Sequence, residues 1–294
     1  MPQLEGVIME KLYDCSLADA AIMHSDDSRI ADTSLISKDL INKVEIKDED
    51  KIYAKDASAN TIGISLEDMK KHDSWYMVDG KQCYFKYKPN NMAILNELLC
   101  VELSKYLGVP TIEYRIATKQ NKIVGLISEN FLTHDYDCIK SIYAPRNLIR
   151  MIRKILTDYK FECDPITRKQ ITALILRNFY ASLFDRIENS YYGIKNSKII
   201  VPPTHDFESA FLDFTIDGSV DPLFSYTFTP ESVKLLMDNN PYFADYVNAL
   251  KEYNMLVAMS SVEEKYGVVF PNEFVEHYCN YDENKKEFMK TLGF

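Results

Sequence analysis

The side chains with the clearest chemical potential are a lysine in Tyr84-Phe85-Lys86-Tyr87 and a glutamate in Asn96-Glu97-Leu98-Leu99. A lysine on a strand and a glutamate on the following helix can meet beneath a sheet. There the ammonium can bind the α- and β-phosphates of ATP while the carboxylate fixes its position. Further on, Phe184-Asp185-Arg186-Ile187-Glu188-Asn189 pairs a carboxylate suited to an acceptor hydroxyl with an amide oxygen suited to Mg²⁺. In Thr204-His205-Asp206-Phe207-Glu208, Asp206 would complete a hard-cation site with Asn189, since Mg²⁺ takes oxygen ligands. His205 reads as a loop or core histidine, because no second histidine or cysteine lies nearby. Each stretch also has a plainer reading: a lysine on the wet face of a hairpin, a loop of turn formers, a turn after Pro202-Pro203. Their order is more specific than any one of them.

The elements that must position these groups follow from pattern. Trp75–Val78 and Cys83–Tyr87 flank Asp79-Gly80, a two-residue hairpin turn. Alternation puts Tyr84, Lys86 and Lys88 on one face and Cys83, Phe85 and Tyr87 on the other. A helix is predicted from Met92 to Leu107, with Glu97 at the flank of its apolar stripe, stopped by Gly108 and Pro110. Strands over Thr111–Thr118 and Ile123–Phe131 enclose the polar turn Lys119-Gln120-Asn121-Lys122. The pattern then becomes helical. Asn147–Tyr159 is amphipathic, and Asp164-Pro165 opens a long helix through Phe184. A short hairpin, Tyr191–Ile194 with Lys198–Val201, precedes helices at Pro230–Leu236, Pro241–Tyr266 and Pro271 to the end. Strand lysine, helix glutamate, strand pair, long helix, Asp…Asn, hairpin and Asp together specify a bilobal kinase-like architecture, with a ligand site expected between the halves.

Composition narrows the alternatives. With 294 residues, 46% of them hydrophobic, the chain can form two domains at about 150 residues each, or one large one. Its 20 Tyr and 15 Phe are too many for a disordered chain. The net charge of −10 argues against binding nucleic acid or anionic membrane by bulk electrostatics. No two of the nine glycines stand closer than 17 residues, which removes the Rossmann fingerprint, the P-loop and the usual kinase glycine loop. No secretory signal or membrane span is read, and six scattered cysteines without metal spacing fit a reducing compartment, so the expectation is cytoplasmic.

The stretch Tyr84-Phe85-Lys86-Tyr87-Lys88-Pro89, followed by Asn96-Glu97 and a helix ending Tyr106-Leu107-Gly108-Val109-Pro110, resembles the N-lobe of HipA-like serine/threonine kinases. Phe184-Asp185-Arg186 through Asn189, and Pro203-Thr204-His205-Asp206, resemble that family's catalytic and metal-binding segments. The resemblance covers roughly residues 75–225. It implies an α+β, bilobal protein-kinase-like fold: a small β-rich N-lobe over 56–131, a larger helical C-lobe over 132–294, and residues 1–55 as an extension packing on the N-lobe. It also implies Lys86 on the ATP phosphates with Glu97 as its partner, Asp185 as the catalytic aspartate, and Asn189 and Asp206 as Mg²⁺ ligands. Ile127–Phe131 falls at the inter-lobe hinge, where backbone at Glu129 and Phe131 would hold adenine. Asp56–Gly63 would cover the phosphates, with Ser58 and Thr61 presenting N–H groups, and Ser58, Thr61 and Ser65 are convenient positions for self-modification. Two departures stand out. The family's D-R-H-x-x-N reads here with Ile187 for histidine and the asparagine at four residues rather than five, and Asp206-Phe207 is followed by Glu208 instead of glycine.

The expected activity is therefore transfer of the γ-phosphoryl of Mg-ATP to a serine or threonine hydroxyl of a protein, including the chain itself. One alternative is a pseudokinase that binds nucleotide or a partner without turnover; another is a kinase acting on a lipid or small-molecule hydroxyl. Incorporation of labelled phosphate separates the first from the expected activity, and product mass spectrometry the second.

Overall fold

The computed structural model describes residues 40–52, 74–88, 91–131, 138–140, 146–183, 192–195, 198–211 and 228–294. Every described residue belongs to one compact unit.

A six-stranded sheet is built from β1 (Lys43–Glu45), β2 (Lys51–Ile52), β3 (Ser74–Val78), β4 (Lys81–Tyr87), β5 (Tyr114–Lys119) and β6 (Lys122–Glu129), in the order β1-β5-β6-β4-β3-β2. Two of its turns are dictated locally. Asp79 and Gly80 take φ of 53° and 75°, and Gln120 and Asn121 take 53° and 61°. These positive values give turns whose twist matches the flanking strands, closing the Val78↔Lys81 and Lys119↔Lys122 registers. The outer strand β1 runs parallel to β5. Nothing in three residues of sequence distinguishes it from a loop, and it was not expected.

β4 lies centrally, pairing β3 on one side and β6 on the other, with Lys86 opposite Leu126 and Tyr87 opposite Gly125. The predicted alternation holds. Cys83 and Phe85 join Ile46, Tyr76, Ala117 and Ile127 in a small core, while Lys86 and Lys88 reach Glu97 of the next helix. That helix, α1 (Asn91–Tyr106), is buried on nearly every side, its Leu98, Leu99 and Leu103 sharing the main core with Ile116 and Leu126 of the sheet. Gly108, at φ 67°, ends it, and the Val109 N–H donates back to the Ser104 carbonyl at 2.8 Å.

The rest is mainly helical: α2 (Arg146–Thr157), α3 (Pro165–Tyr180), α4 (Pro230–Asn239), α5 (Phe243–Glu252), α6 (Met255–Tyr266) and α7 (Asn272–Thr291). A small sheet of β7 (Cys138–Lys140), β8 (Tyr192–Lys195) and β9 (Lys198–Ile200) accompanies them, one strand more than the predicted hairpin. The Asp164 carboxylate caps α3, accepting from the Ile166 N–H at 2.8 Å. The helix stops at Tyr180 rather than at the expected Phe184, because Ser182 turns to φ 51°. The apolar pattern continues through Leu183 because the turn itself is buried. The single helix predicted over 241–266 is two: Tyr253 takes extended backbone, and the Asn254 side chain caps α6 through the Val257 N–H. Among the described residues, no helix is long and apolar enough to cross a membrane.

Candidate functional site

Lys86 reaches its position because the carbonyl above it packs directly on Gly125. A Cβ built on Gly125, whose φ is 154°, would overlap the Lys86 carbonyl and stand 3.0 Å from the Lys88 nitrogen. From there Lys86 Nζ lies 2.8 Å from Glu97 Oε1 and forms an ion pair with Asp206. One ammonium thereby joins two neighbouring elements to a segment far along the chain.

Glu97 is fully buried, and both its oxygens are engaged. Lys86 and, at 3.9 Å, Lys88 face Oε1; the Tyr114 hydroxyl donates to Oε2 at 2.9 Å and the Phe207 N–H at 2.7 Å. Burial alone would raise this carboxyl, but the two ammoniums and the Phe207 N–H outweigh it and hold it at about 2, against an ordinary 4.5. A depressed carboxyl contributes stability that is present above its unfolded value and lost as pH falls through its folded one. At about 1.4 kcal/mol per pKa unit, the contribution is about 3 kcal/mol. Resistance to urea should therefore fall as pH drops from 4.5 to 2, and Glu97→Gln should lack that part of the slope.

The segment carrying Asp206 is fixed from both sides. Before it, the Thr204 N–H and hydroxyl both donate to the Pro110 carbonyl at 2.9 Å, and the Ile112 N–H returns to the Thr204 carbonyl at 3.1 Å. Asp206 itself takes φ 67°. After it, the Phe207 ring is buried under the Arg177 guanidinium of α3 at 4.7 Å. The Glu208 carbonyl accepts from Asn96 Nδ2 at 2.7 Å, and Asn96 Oδ1 in turn accepts from the Tyr278 hydroxyl at 2.6 Å. Phe211 N–H donates to the Ala181 carbonyl at 2.9 Å, tying this stretch to the end of α3. On α7, Tyr281 and buried Lys285 contact the Ser182 hydroxyl at 2.6 and 3.3 Å.

Lys86, Glu97 and Asp206 thus come together. Glu129 does not join them: its side chain is exposed and paired with Lys81 at 2.7 Å. Phe131, beyond the end of β6, lies against His205 with ring centroids 5.6 Å apart, and His205 is half-buried beside Asp206. The Asn130 N–H is taken by the Gln82 carbonyl at 2.8 Å. Ser58, Thr61, Ser65, Asp185 and Asn189 lie outside the described residues.

Sequence reasoning assigned no role to Lys88, Tyr114, Asn96 or Glu208. Alternation had placed Lys88 on the face of Lys86, and that was the available signal. The Tyr114 hydroxyl and the Asn96–Glu208 contact depend on how β5 and the Asp206 segment fold back onto α1. One carboxylate oxygen from each of Glu97, Asp206 and Glu208 lies within 4.8 Å of the others. These three carboxylates form a cluster of the kind a divalent cation takes, each of them paired with a lysine in this structure.

No family model matches the sequence, and no curated protein matches it either. Solved structures do. HipA, in the Shewanella oneidensis MR-1 toxin–antitoxin complex with HipB and operator DNA, aligns with 76% of this chain at 13% identity and a TM-score of 0.51. The alignment takes in 64% of that chain, so the present one spans somewhat less than two thirds of its relative. The proinflammatory kinase CtkA of Helicobacter pylori aligns with 75% of this chain and 92% of its own, at 12% identity and a TM-score of 0.44. The likeness to HipA, together with the sheet-then-helices order described above, establishes that the chain has a HipA-like α+β fold.

Proposed function

We propose that this chain is a Mg-ATP-dependent kinase of the HipA-like type, moving the γ-phosphoryl of ATP to a serine or threonine hydroxyl of a protein in the cytoplasm. The observation that carries this reading is the single ammonium of Lys86 held between the buried Glu97 carboxylate and Asp206. A lysine–glutamate pair beside a metal-binding aspartate is the arrangement by which phosphoryl transfer is positioned and its charge neutralised.

In this reading Lys86 donates to phosphate oxygens while Glu97 holds the lysine in place. Asp206 and Asn189 hold Mg²⁺, which supplies neutralising charge at the phosphates when bound. Backbone at Glu129 and Phe131 holds the adenine, and the loop of Ser58 and Thr61 covers the phosphates. Asp185 orients the acceptor hydroxyl and takes its proton as the new O–P bond forms and the bond to ADP breaks. Positioning and electrostatics supply the catalysis.

Purified protein incubated with labelled ATP and Mg²⁺ should incorporate phosphate into itself or a generic protein substrate. Asp206→Ala and Asp185→Asn should each lower incorporation on the order of 10²-fold or more. Labelling that survives both changes overturns the assignments. Phosphate recovered on lipid or a small molecule changes the acceptor, and nucleotide binding without transfer identifies a binding module.

A further inference from the structure

The second lysine of the strand has a task of its own. Lys88 is as buried as the core around it, with a side chain 4% exposed, and it forms an ion pair with Glu208 while standing 3.9 Å from Glu97 Oε1. Its N–H is fixed in the sheet by the Val124 carbonyl at 3.2 Å. We infer that Lys88 and Glu208 form a clamp that positions Asp206, holding the Asp206-Phe207-Glu208 segment on α1 when Lys86 lets go of Asp206. This inference rests on the function proposed above.

The need for such a clamp follows from charge and conformation. Lys86 contacts Glu97 and Asp206 together. A lysine that turns to phosphate oxygens, and an aspartate that turns to a divalent cation, must give up their mutual contact. Were Lys86 the sole cation there, its departure would leave the buried Glu97 unneutralised and the segment loose at its centre. Lys88 meets both demands: it stays beside Glu97 Oε1 and holds the carboxylate two residues past Asp206. Asp206 also sits at φ 67°, a conformation that persists only when neighbours impose it. Those neighbours are Thr204 on one side and, on the other, three attachments: Phe207 N–H to Glu97, the Glu208 carbonyl to Asn96, and the Glu208 carboxylate to Lys88. Removal of the last leaves the segment held to α1 by its backbone groups alone, with the Phe207 ring packed on Arg177 of α3.

The test compares wild type with Lys88→Met, Glu208→Gln, the double variant and Lys88→Arg. In phosphate transfer, either single change should lower kcat by about tenfold and raise the Mg²⁺ concentration required, with KM for ATP shifting by less than about threefold. The double variant should be no worse than the singles, because the pair acts as a unit, and Lys88→Arg should recover most of the loss. Hydrogen exchange on the protein without nucleotide gives a readout independent of turnover: the Phe207 N–H should exchange about tenfold faster in both single variants. If wild type transfers no phosphate, the proposed function fails and the exchange result alone decides the clamp. Unchanged exchange at Phe207 overturns the clamp. So does a Lys88→Met variant that loses ATP affinity as Lys86→Met does, which would make Lys88 a phosphate ligand instead. If Lys88→Met does not fold, Glu208→Gln carries the same measurements.

Discussion

Lys86→Met should abolish phosphate transfer, by about 10²–10³-fold, in a protein that remains folded. Methionine fills the same space without the ammonium, so the strand register and the packing of β4 on β6 are retained. Glu97 keeps Lys88, the Tyr114 hydroxyl and the Phe207 N–H, and its buried charge is still answered. What disappears is the cation that touches Glu97 and Asp206 together. Thermal denaturation with and without Mg-ATP reads this directly. A ligand at 100 times its Kd stabilises by about 2.7 kcal/mol, and the variant should lose most of that shift while its unliganded melting point stays close to wild type. A variant that still binds and transfers at the wild-type level would remove Lys86 from the site.

The largest stability effect is expected at a residue with no side chain. Gly125→Ala should cost about 3 kcal/mol, combining a forced overlap with the Lys86 carbonyl and a backbone angle that L-residues rarely adopt. Gly80→Ala is the useful comparison. Its φ of 75° lies in the left-handed region that L-residues reach at modest cost, and nothing lies within 4 Å of the added carbon. That change should cost only about 1 kcal/mol. Urea midpoints of the two variants compare a turn glycine in open space with one pressed on a neighbouring carbonyl. Because the collision falls on the peptide of Lys86 itself, Gly125→Ala should also weaken Mg-ATP binding, and Gly80→Ala should not.

What the sequence revealed and what it hid divide along physical lines. The Asp79-Gly80 turn, the face of Lys86, the helix bearing Glu97 and its arrest at Gly108 were legible, because each is written within a few residues. The joining of Lys86, Glu97 and Asp206 was legible only through the order of elements and the family resemblance; no local pattern states that residues 86 and 206 touch. Glu208 escaped because it read as a departure from an expected glycine rather than as a partner for Lys88. The end of α3 and the break at Tyr253-Asn254 were missed for one reason: hydrophobic periodicity reports burial, and Ala181–Leu183 and Tyr253 are buried without being helical. β7 and β1, three residues each, are too short to show alternation at all.

The stitch between Thr204 and the Pro110–Ile112 turn has a mechanical consequence. Four hydrogen bonds there fasten the sheet side of the molecule to the segment that leads into Asp206. On the far flank, the Ile41 N–H and the Asn42 side chain grip the last turn of α6 at Tyr266 and Lys265. Two rivets define a hinge line: the parts they join can turn about it but cannot slide past one another. Loosening either rivet should therefore change how fast a bound molecule exchanges more than any substitution on the outer faces of the sheet.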